Sequence, residues 1–389
     1  MIMHILVLFC NQKKIYSGMF IEQAIVFVVL LFCLLMIGEK CSLYFTGGLL
    51  NTKDVYECTC VQLGEQQCTS EEELEQKMER IMKNVWRSSC VILGGKSAML
   101  LPYVRPEEMN YSDSVLIDQK RINVFLKYAD ENMDRVLEIK LEEGEWLRNE
   151  QWEDGSYPVV VTRQLLDEMG WSEGIGKRIY FKGVQLTVCG VMLGLKQEPM
   201  KSSQPILIMP ICLNRQYGVE YVTCIKSGEE MNFRTLVKRE FYKLLGNDDV
   251  ELSITKIEKW KRIWMQDVFV ALTLAIVPAI FLFVFAFIGM LGLFLLYSFR
   301  RKKEFALRIV VGSTPGGLKR FVIIEALLLT VLSWTPGMIL FFLIYPINSI
   351  NLLALIAACI VMVVFSVFSA WWPAYQISRV NPVDAMREE

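Results

Sequence analysis

Four long apolar runs dominate the pattern of hydrophobic and polar residues along this chain of 389 residues. The longest, Val268–Phe299, holds 32 residues without a charged side chain. A helix needs about 20 apolar residues to cross the ~30 Å hydrocarbon core of a membrane. The pattern therefore predicts four membrane-spanning helices, at residues 19–38, 267–299, 321–345 and 352–372.

The long polar segment between the first two apolar runs predicts a folded domain of helices and strands. Strands are expected where β-branched residues cluster or apolar residues alternate, at residues 136–141, 159–162, 177–181, 184–191 and 206–211. Lys182-Gly183 lies between two of these stretches as a hairpin turn. Helices are expected after the capping box of Ser70 and Glu73, at residues 163–169 before Gly170, and at residues 232–245. We interpret residues 39–266 as an α+β domain inserted between the first and second spans.

Charge is distributed unevenly, and this orients the predicted spans. Residues 41–267 carry 29 Lys/Arg and 35 Asp/Glu, whereas residues 300–320 carry seven basic residues and one acid, Glu304. Short basic loops stay in the cytoplasm. We therefore expect residues 300–320 and both termini to be cytoplasmic and residues 39–266 to be outside. The remaining segments are an interfacial N-terminus at 1–18, a short outer loop at 346–351 and a cytoplasmic tail at 373–389.

Two alternative interpretations of these segments are less favoured. The first apolar run lacks a small-x-small cleavage site, so a retained anchor is preferred to a signal peptide. Basic residues at the ends of spans are explained by membrane topology, which leaves no reason to expect nucleic acid as a partner.

Candidate catalytic chemistry is sparse. Gly94-Gly95-Lys96-Ser97 ends like a phosphate-binding loop, but that pattern needs a glycine where the chain has Cys90. The single histidine is His4, so the inserted domain offers no Ser/His/Asp triad and too few zinc ligands. Eight of the eleven cysteines fall in the inserted domain, and whether they form disulfides stays open. The sequence thus predicts a non-catalytic chain without a metal or cofactor of its own.

The segment Glu304–Leu318 carries the strongest local signal. A short amphipathic helix is predicted to end at Gly312, which accepts the left-handed conformation of a helix C-cap. Thr314 is expected to cap a new helix with Pro315 at its first position. Glu304 and Arg308 are four residues apart on one helix face and are expected to pair.

These motifs resemble those of a known family. The stretch Arg301–Glu325, RKKEFALRIVVGSTPGGLKRFVIIE, is similar to the loop between the second and third spans of MacB/FtsX-like ABC transporter permeases. The ending SRVNPVDAMREE resembles the terminal motif of that family. Within residues 137–192, LEEGEWL, VVVTRQLLDEMG, IGKRIYFKG and VCGVM follow the order of its extracytoplasmic core domain. The resemblance extends over essentially the whole chain.

The resemblance implies a multi-pass subunit of the bacterial inner membrane that pairs with an identical or paralogous permease. It also implies a separate ATPase, present in two copies, which binds the ATP and Mg²⁺. Closing of the ATPases would move the loop at 300–320, and the second helix would transmit this movement to the outer domain. The residues expected to contact the ATPase are Glu304, Arg308, Gly312, Ser313 and Thr314.

Efflux or extraction of a substrate from the outer side is the function that the resemblance implies. Two alternatives remain open, a regulator that activates a cell-wall hydrolase and a sensor that relays peptide or antibiotic binding to a kinase. The spans lack an internal row of charged residues, with Glu325 as the exception. Glu325 is expected to snorkel and to pair with Arg320 or another basic residue of the loop.

Overall fold

The computed structural model describes residues 13–62, 71–103, 112–117, 120–215, 217–246 and 250–377. In this part of the chain the helices are α1 Lys13–Phe45, α2 Glu71–Trp86, α3 Met133–Val136, α4 Arg163–Met169, α5 Glu230–Leu245, α6 Ile257–Arg300, α7 Lys302–Val310, α8 Pro315–Ile344 and α9 Ser349–Ile377. The strands are β1 Val55–Gln62, β2 Val91–Ala98, β3 Ser112–Ile117, β4 Lys120–Ala129, β5 Leu141–Gly144, β6 Tyr157–Thr162, β7 Arg178–Phe181, β8 Val184–Met192, β9 Ile206–Pro210, β10 Glu220–Ile225 and β11 Val250–Lys256. The chain divides into a helical unit, Met1–Ser42 with Phe269–Glu389, and a sheet unit, Leu43–Val268.

Four of the described helices are long and apolar enough to cross a membrane: Tyr16–Phe45, Ile257–Arg300, Pro315–Ile344 and Ser349–Gln376. Each is longer than the apolar run that predicts it, because helical hydrogen bonding continues through flanking polar residues. In α6 the charged segment before Val268 continues the helix to a total of 44 residues. At 1.5 Å per residue this is about 66 Å, roughly twice the thickness of the hydrocarbon core.

The core of the helical unit contains side chains from all four long helices. Phe27 of α1, Met290 of α6, Phe341 of α8 and Ala358 of α9 belong to one buried cluster. Small residues allow close approach of helices in such bundles. At Gly337 of α8, an added Cβ would lie 2.5 Å from the Phe27 ring, so glycine is needed there for α1 and α8 to pack.

The strands of the sheet unit form one mixed sheet with the order β11-β1-β10-β2-β4-β9-β6-β8-β5. In addition, β3 pairs with β4 and β7 pairs with β8. The pairs β4–β9 and β6–β8 are parallel, and the other described pairs are antiparallel. The predicted α+β class of the inserted domain is thus confirmed.

Helices cover both halves of this sheet. On one half, Ile81 of α2 and Phe233 and Val237 of α5 are fully buried in a cluster with Tyr56 of β1. On the other half, α4 buries its two leucines against the apolar residues of β6, β8 and β9. Each helix therefore buries an apolar face against the sheet and leaves its polar residues outside, as expected for an amphipathic helix.

One helix and one hairpin of the sheet unit lie where the sequence predicts them. The helix at residues 163–169 is confirmed, and Gly170 ends it with φ of 72°. The hairpin is confirmed as β7–β8, with positive φ at Lys182 and Gly183. The capping-box Ser70, the N-terminal residues 1–12 and the terminal motif from residue 378 lie outside the described residues.

The strand predicted at residues 136–141 is wrong. Residues 133–136 form the short helix α3, and a strand begins only at Leu141. Met133, Val136 and Leu137 are all buried, and their spacing of three and four residues is that of a helix. Glu138 then has φ of 50°, which ends regular structure before β5. The alternation of apolar residues at 136–141 therefore does not reflect the period of a strand.

The segment Gly94–Ser97 lies inside strand β2. The Lys96 ammonium pairs with Glu79 at 3.1 Å, and the Lys96 backbone N–H donates to Asp130 at 2.7 Å. A phosphate-binding loop requires backbone N–H groups that are free to face the ligand at the start of a helix. The segment therefore has the backbone geometry of a strand and not that of a phosphate-binding loop.

Candidate functional site

The short helix α7 lies between α6 and α8 and presents the two charged residues that the sequence singles out. Arg308 donates to the Glu304 carboxylate at 2.7 Å, so the predicted pair within one helix face is confirmed. Both side chains are partly exposed, at 27% for Arg308 and 35% for Glu304. This face of α7 therefore presents a pair of opposite charges, already bound to each other, to its surroundings.

The end of α7 is a Schellman turn centred on Gly312. Gly312 has φ of 105°, its N–H donates to the Ile309 carbonyl at 2.9 Å, and the Ser313 N–H donates to the Arg308 carbonyl at 2.8 Å. These two bonds satisfy carbonyls that the helix end leaves without partners. The left-handed conformation predicted for Gly312 is confirmed.

The helix α8 begins immediately after this turn. The Thr314 hydroxyl accepts a hydrogen bond from the Gly317 N–H at 3.2 Å, and Pro315 occupies the first helical position. The predicted cap is thus confirmed. The residues of the turn, Gly312 to Thr314, are all exposed. Two rigid helices therefore meet at a short, well-defined and accessible corner.

A buried ion pair lies directly behind the exposed pair of α7. Arg301 is 3% exposed and Glu325 of α8 is 1% exposed, and the guanidinium donates to both carboxylate oxygens at 3.2 Å. The same guanidinium binds Glu304 with Nε at 2.6 Å and a terminal nitrogen at 2.8 Å. Arg301 therefore joins Glu304 of α7 to Glu325 of α8.

Two tyrosines extend this pair to the other helices. Tyr297 of α6 donates to Glu325 at 2.7 Å, and Tyr16 of α1 is hydrogen-bonded to both Glu325 and Tyr297. The Arg301 guanidinium lies 4.9 Å from the Phe305 ring centroid, in the range of a cation–π contact. We call Tyr16, Tyr297, Arg301, Glu304, Arg308 and Glu325 the Arg301 network.

The Arg301 network contains two arginines and two glutamates, so its formal charge balances. Burial opposes ionisation of Glu304, but hydrogen bonds from Arg301 and the charges of Arg301 and Arg308 outweigh it and lower the Glu304 pKa. Glu304 is therefore a carboxylate at neutral pH. The arrangement has no nucleophile paired with a base, and what it does physically is to fasten α7 to α1, α6 and α8.

Sequence reasoning identified only part of this network. The expectation that Glu325 pairs with Arg320 or another basic residue of the loop is confirmed in its second form, because the partner is Arg301 and Arg320 is exposed. The expectation that Glu325 snorkels is wrong because its carboxylate is buried and fully paired. The usable signal for Arg301 was its position three residues before Glu304, on the same side of a helix.

The expectation that Glu325 is the one charged exception within the spans is also wrong. Glu22 lies in the apolar part of α1 and is half-buried. An added Cβ on Gly289 would lie 2.5 Å from its carboxylate oxygen, so the carboxylate packs against the α6 backbone. The adjacent Gln23 is fully buried and accepts a hydrogen bond from Ser333 of α8 at 3.3 Å.

Within the part of the chain that the structure describes, no three His, Cys, Asp or Glu side chains are grouped as metal ligands. The nine cysteines among the described residues are all free thiols. We therefore assign no residue of the described segments to a metal or cofactor.

Two family descriptions match this chain. The MacB-like periplasmic core domain matches residues 98–237, and the FtsX-like permease C-terminal domain matches residues 276–382. The first match lies within the sheet unit, and the second includes α7, the Gly312 turn and Glu325. No curated protein matches the chain significantly.

Solved structures similar to the chain include two extracytoplasmic domains. One is the periplasmic region of MacB from Actinobacillus actinomycetemcomitans, with 14% identity over 55% of this chain and 92% of that one, and a TM-score of 0.37. The other is the extracellular domain of the noncanonic ABC-type transporter YknZ from Gram-positive bacteria, with 12% identity over 51% of this chain and 99% of that one, and a TM-score of 0.37.

Proposed function

Because the chain belongs to the MacB/FtsX-like permease family, a group of ABC transporter permeases of the bacterial inner membrane, we propose that α7 receives movement from a separate ATPase. The Arg301 network passes this movement to the long helices, and α6 transmits it to the sheet unit outside the membrane. Work is done on a substrate at the outer side, by efflux or extraction. The chain is a non-catalytic subunit, and the ATP and Mg²⁺ belong to the ATPase.

One observation carries this proposal. The Arg301 guanidinium makes hydrogen bonds to Glu304 on α7 and to Glu325 on α8, and both partners are carboxylates. Both contacts are charge-assisted, and the one with Glu304 is also bidentate, a geometry that is among the strongest side-chain links in proteins. A push on α7 therefore moves the ends of α1, α6 and α8 with it rather than bending a loose connector.

The partners follow from this role. We propose a separate ABC ATPase that docks on α7 and the Gly312 turn, with Glu304, Arg308, Gly312, Ser313 and Thr314 at the contact. A second permease, identical or paralogous, completes the transporter. The test is co-purification of the tagged chain from native membranes, followed by mass spectrometry and an ATPase assay. Recovery of the chain without any ATPase would contradict the proposal.

Topology provides the first prediction. We expect reporter fusions or cysteine labelling to place positions 60, 150 and 240 outside and positions 310 and 385 inside, because the seven basic residues of 300–320 favour the cytoplasm. Labelling of position 310 from the outside would exclude contact between α7 and a cytoplasmic ATPase.

A second prediction concerns the Gly312 turn. Gly312→Val forces a β-branched residue to a φ of 105°, which costs roughly 1–2 kcal/mol. No atom lies within 4 Å of an added Cβ, so the effect is one of backbone conformation and not of a clash. We expect the complex to assemble but ATP to lose its effect on hydrogen exchange in the sheet unit.

The matched control for this substitution is Gly316→Val. An added Cβ on Gly316 also meets no atom within 4 Å, and Gly316 lies in ordinary helical backbone. If the two variants behave alike in the complex, the left-handed turn at Gly312 has no part in coupling.

A further inference from the structure

Lys196 of the sheet unit is fully buried, with 0% of its surface exposed. Lysines are almost never buried to this extent unless they are paired. Its ammonium donates to two backbone carbonyls, that of Leu43 and that of Thr46, the latter at 2.7 Å. Its backbone N–H donates to the Gly48 carbonyl at 2.9 Å. Lys196 thus makes three hydrogen bonds to one six-residue segment.

This segment contains the last turn of α1, which ends at Phe45. The last four carbonyls of a helix have no partner within the helix, and they carry the negative end of its dipole. The Lys196 ammonium therefore satisfies an unpaired carbonyl and complements that partial charge. Burial lowers the pKa of Lys196, and the two carbonyl acceptors stabilise the charged form that remains.

The loop that carries Lys196 is itself fixed. The Ser203 hydroxyl accepts from the Leu195 N–H at 2.8 Å and donates to the Leu195 carbonyl at 3.1 Å. Gly48, with φ of 105°, lies so close to this loop that an added Cβ would be 3.0 Å from the Gly194 carbonyl carbon. The ammonium is therefore held in place and does not simply follow the end of α1.

The next residue of the loop leads to the start of α6. The Gln197 carbonyl accepts from the Tyr103 N–H at 3.0 Å, and the Tyr103 carbonyl accepts from the Trp264 indole at 2.9 Å. Tyr103 has φ of 69°, an uncommon conformation for a bulky residue that the surrounding bonds maintain. Ile257 and Trp264 of α6 belong to the same apolar cluster as Leu195.

We propose that Lys196 is a positioning residue that fastens the end of α1 and, through Gln197, Tyr103 and Trp264, the start of α6 to one point of the sheet unit. Because both helix ends are held at this point, a movement of either helix displaces the sheet unit as one body. The proposal rests on the proposed function for the source of that movement. The fastening itself is independent of any ATPase.

The experiment compares Lys196→Met, which keeps the length of the side chain but removes its donors, with Lys201→Met. Lys201 is exposed and lies in the same loop, where it pairs with Glu198. Hydrogen exchange is followed by mass spectrometry on the full chain in nanodiscs. In Lys196→Met we expect amides 43–48 to exchange roughly tenfold faster, because the Leu43 and Thr46 carbonyls lose their ammonium donor and the end of α1 opens locally more often. Strand β9 and the Lys201→Met variant should match the wild type.

A second arm restores the fastening covalently. An added Cβ on Gly47 would lie 3.4 Å from Cγ of Leu193, so the two positions are neighbours. The variant Gly47→Cys/Leu193→Cys is made on this basis, and formation of its disulfide is verified by mass spectrometry before use. In the complex with the ATPase, we expect Lys196→Met to abolish the ATP-dependent change in exchange across the sheet unit. The added disulfide should recover that change, and reduction should remove it again.

The outcomes separate the two proposals. Unchanged exchange at residues 43–48 in Lys196→Met overturns the fastening, whatever the ATPase does. Faster exchange together with an intact response to ATP overturns the role in transmission. A wild-type complex that shows no response to ATP overturns the proposed function and, with it, the role of Lys196 in transmission. In that case the exchange rates at residues 43–48 still test whether Lys196 fastens the end of α1.

Discussion

Replacing Arg301 by methionine is expected to lower the free energy of unfolding of the chain by about 3–5 kcal/mol. Glu325 is 1% exposed and would keep a buried carboxylate without its cation. Removing one partner of a buried pair is costly for this reason, because the remaining charge is neither solvated nor compensated. The loss is measured by denaturant titration of the purified chain in mixed micelles and by its thermal midpoint.

The neighbouring arginine is the matched control. Arg300 is exposed at the end of α6, so Arg300→Met should change stability by less than about 0.5 kcal/mol. Equal effects of the two substitutions would mean that the buried pair with Glu325 does not stabilise the fold.

The double variant Arg301→Met/Glu325→Leu separates stability from coupling. It removes both buried charges, so most of the stability should return. The link between α7 and α8 remains absent, so the response of the sheet unit to ATP should still be lost. A double variant with a full response to ATP would show that the Arg301 network stabilises the fold without transmitting movement.

A second large effect is expected in the sheet unit when Glu220 is replaced by glutamine. Glu220 accepts hydrogen bonds from the Ser97 hydroxyl at 2.7 Å and from the Met99 N–H at 3.1 Å. Its charge also raises the pKa of Lys127, whose side chain is 2% exposed. Without this carboxylate the buried Lys127 ammonium lacks a nearby negative charge. We therefore expect the free energy of unfolding to fall by about 3 kcal/mol at pH 7.

The pH dependence of the free energy of unfolding tests whether Lys127 causes the loss of stability in Glu220→Gln. Burial lowers the Lys127 pKa from 10.5 to about 8, so the unfolded chain binds this proton more tightly than the folded chain. Between pH 8 and 10.5 the unfolded state carries more protons, and stability rises with pH, by about 3 kcal/mol across the window. In Glu220→Gln the Lys127 pKa falls further, so the rise should begin at a lower pH.

Glu220 contributes to the pH dependence of stability with the opposite sign. Burial raises its pKa in spite of the hydrogen bond from Ser97 and the charge of Lys127, so the free energy of unfolding falls as pH rises above 4.5.

The double variant Lys127→Met/Glu220→Gln removes both contributions and should give a flatter pH profile with most of the stability recovered. Lys238 is exposed, and Lys238→Met serves as the control. A wild-type profile that is flat between pH 8 and 10.5 would refute the assignment to Lys127.

The local features of residues 304–318 were predictable because they depend on residues close to one another in the chain. A left-handed glycine, a threonine cap and a proline at the first helical position are decided within one or two turns of backbone, and the structure has all three at Gly312, Thr314 and Pro315. The pair of Glu304 and Arg308 follows from the helical period alone. The strand at 136–141 failed because a six-residue apolar pattern fits a helix and a strand nearly equally well.

The sequence by itself therefore determined the four long helices, the inserted α+β domain, the family and the corner between α7 and α8. Only the tertiary structure decided which charged side chains are buried. Tyr16 and Glu325 are separated by 309 residues, and Lys196 and Leu43 by 153. Hydropathy gives the length of a helix but not its rotation about its axis, and that rotation selects Arg301 for the core and leaves Arg300 exposed. The same packing encloses Lys196 at the end of α1, where its position in a polar loop gave no sign of burial.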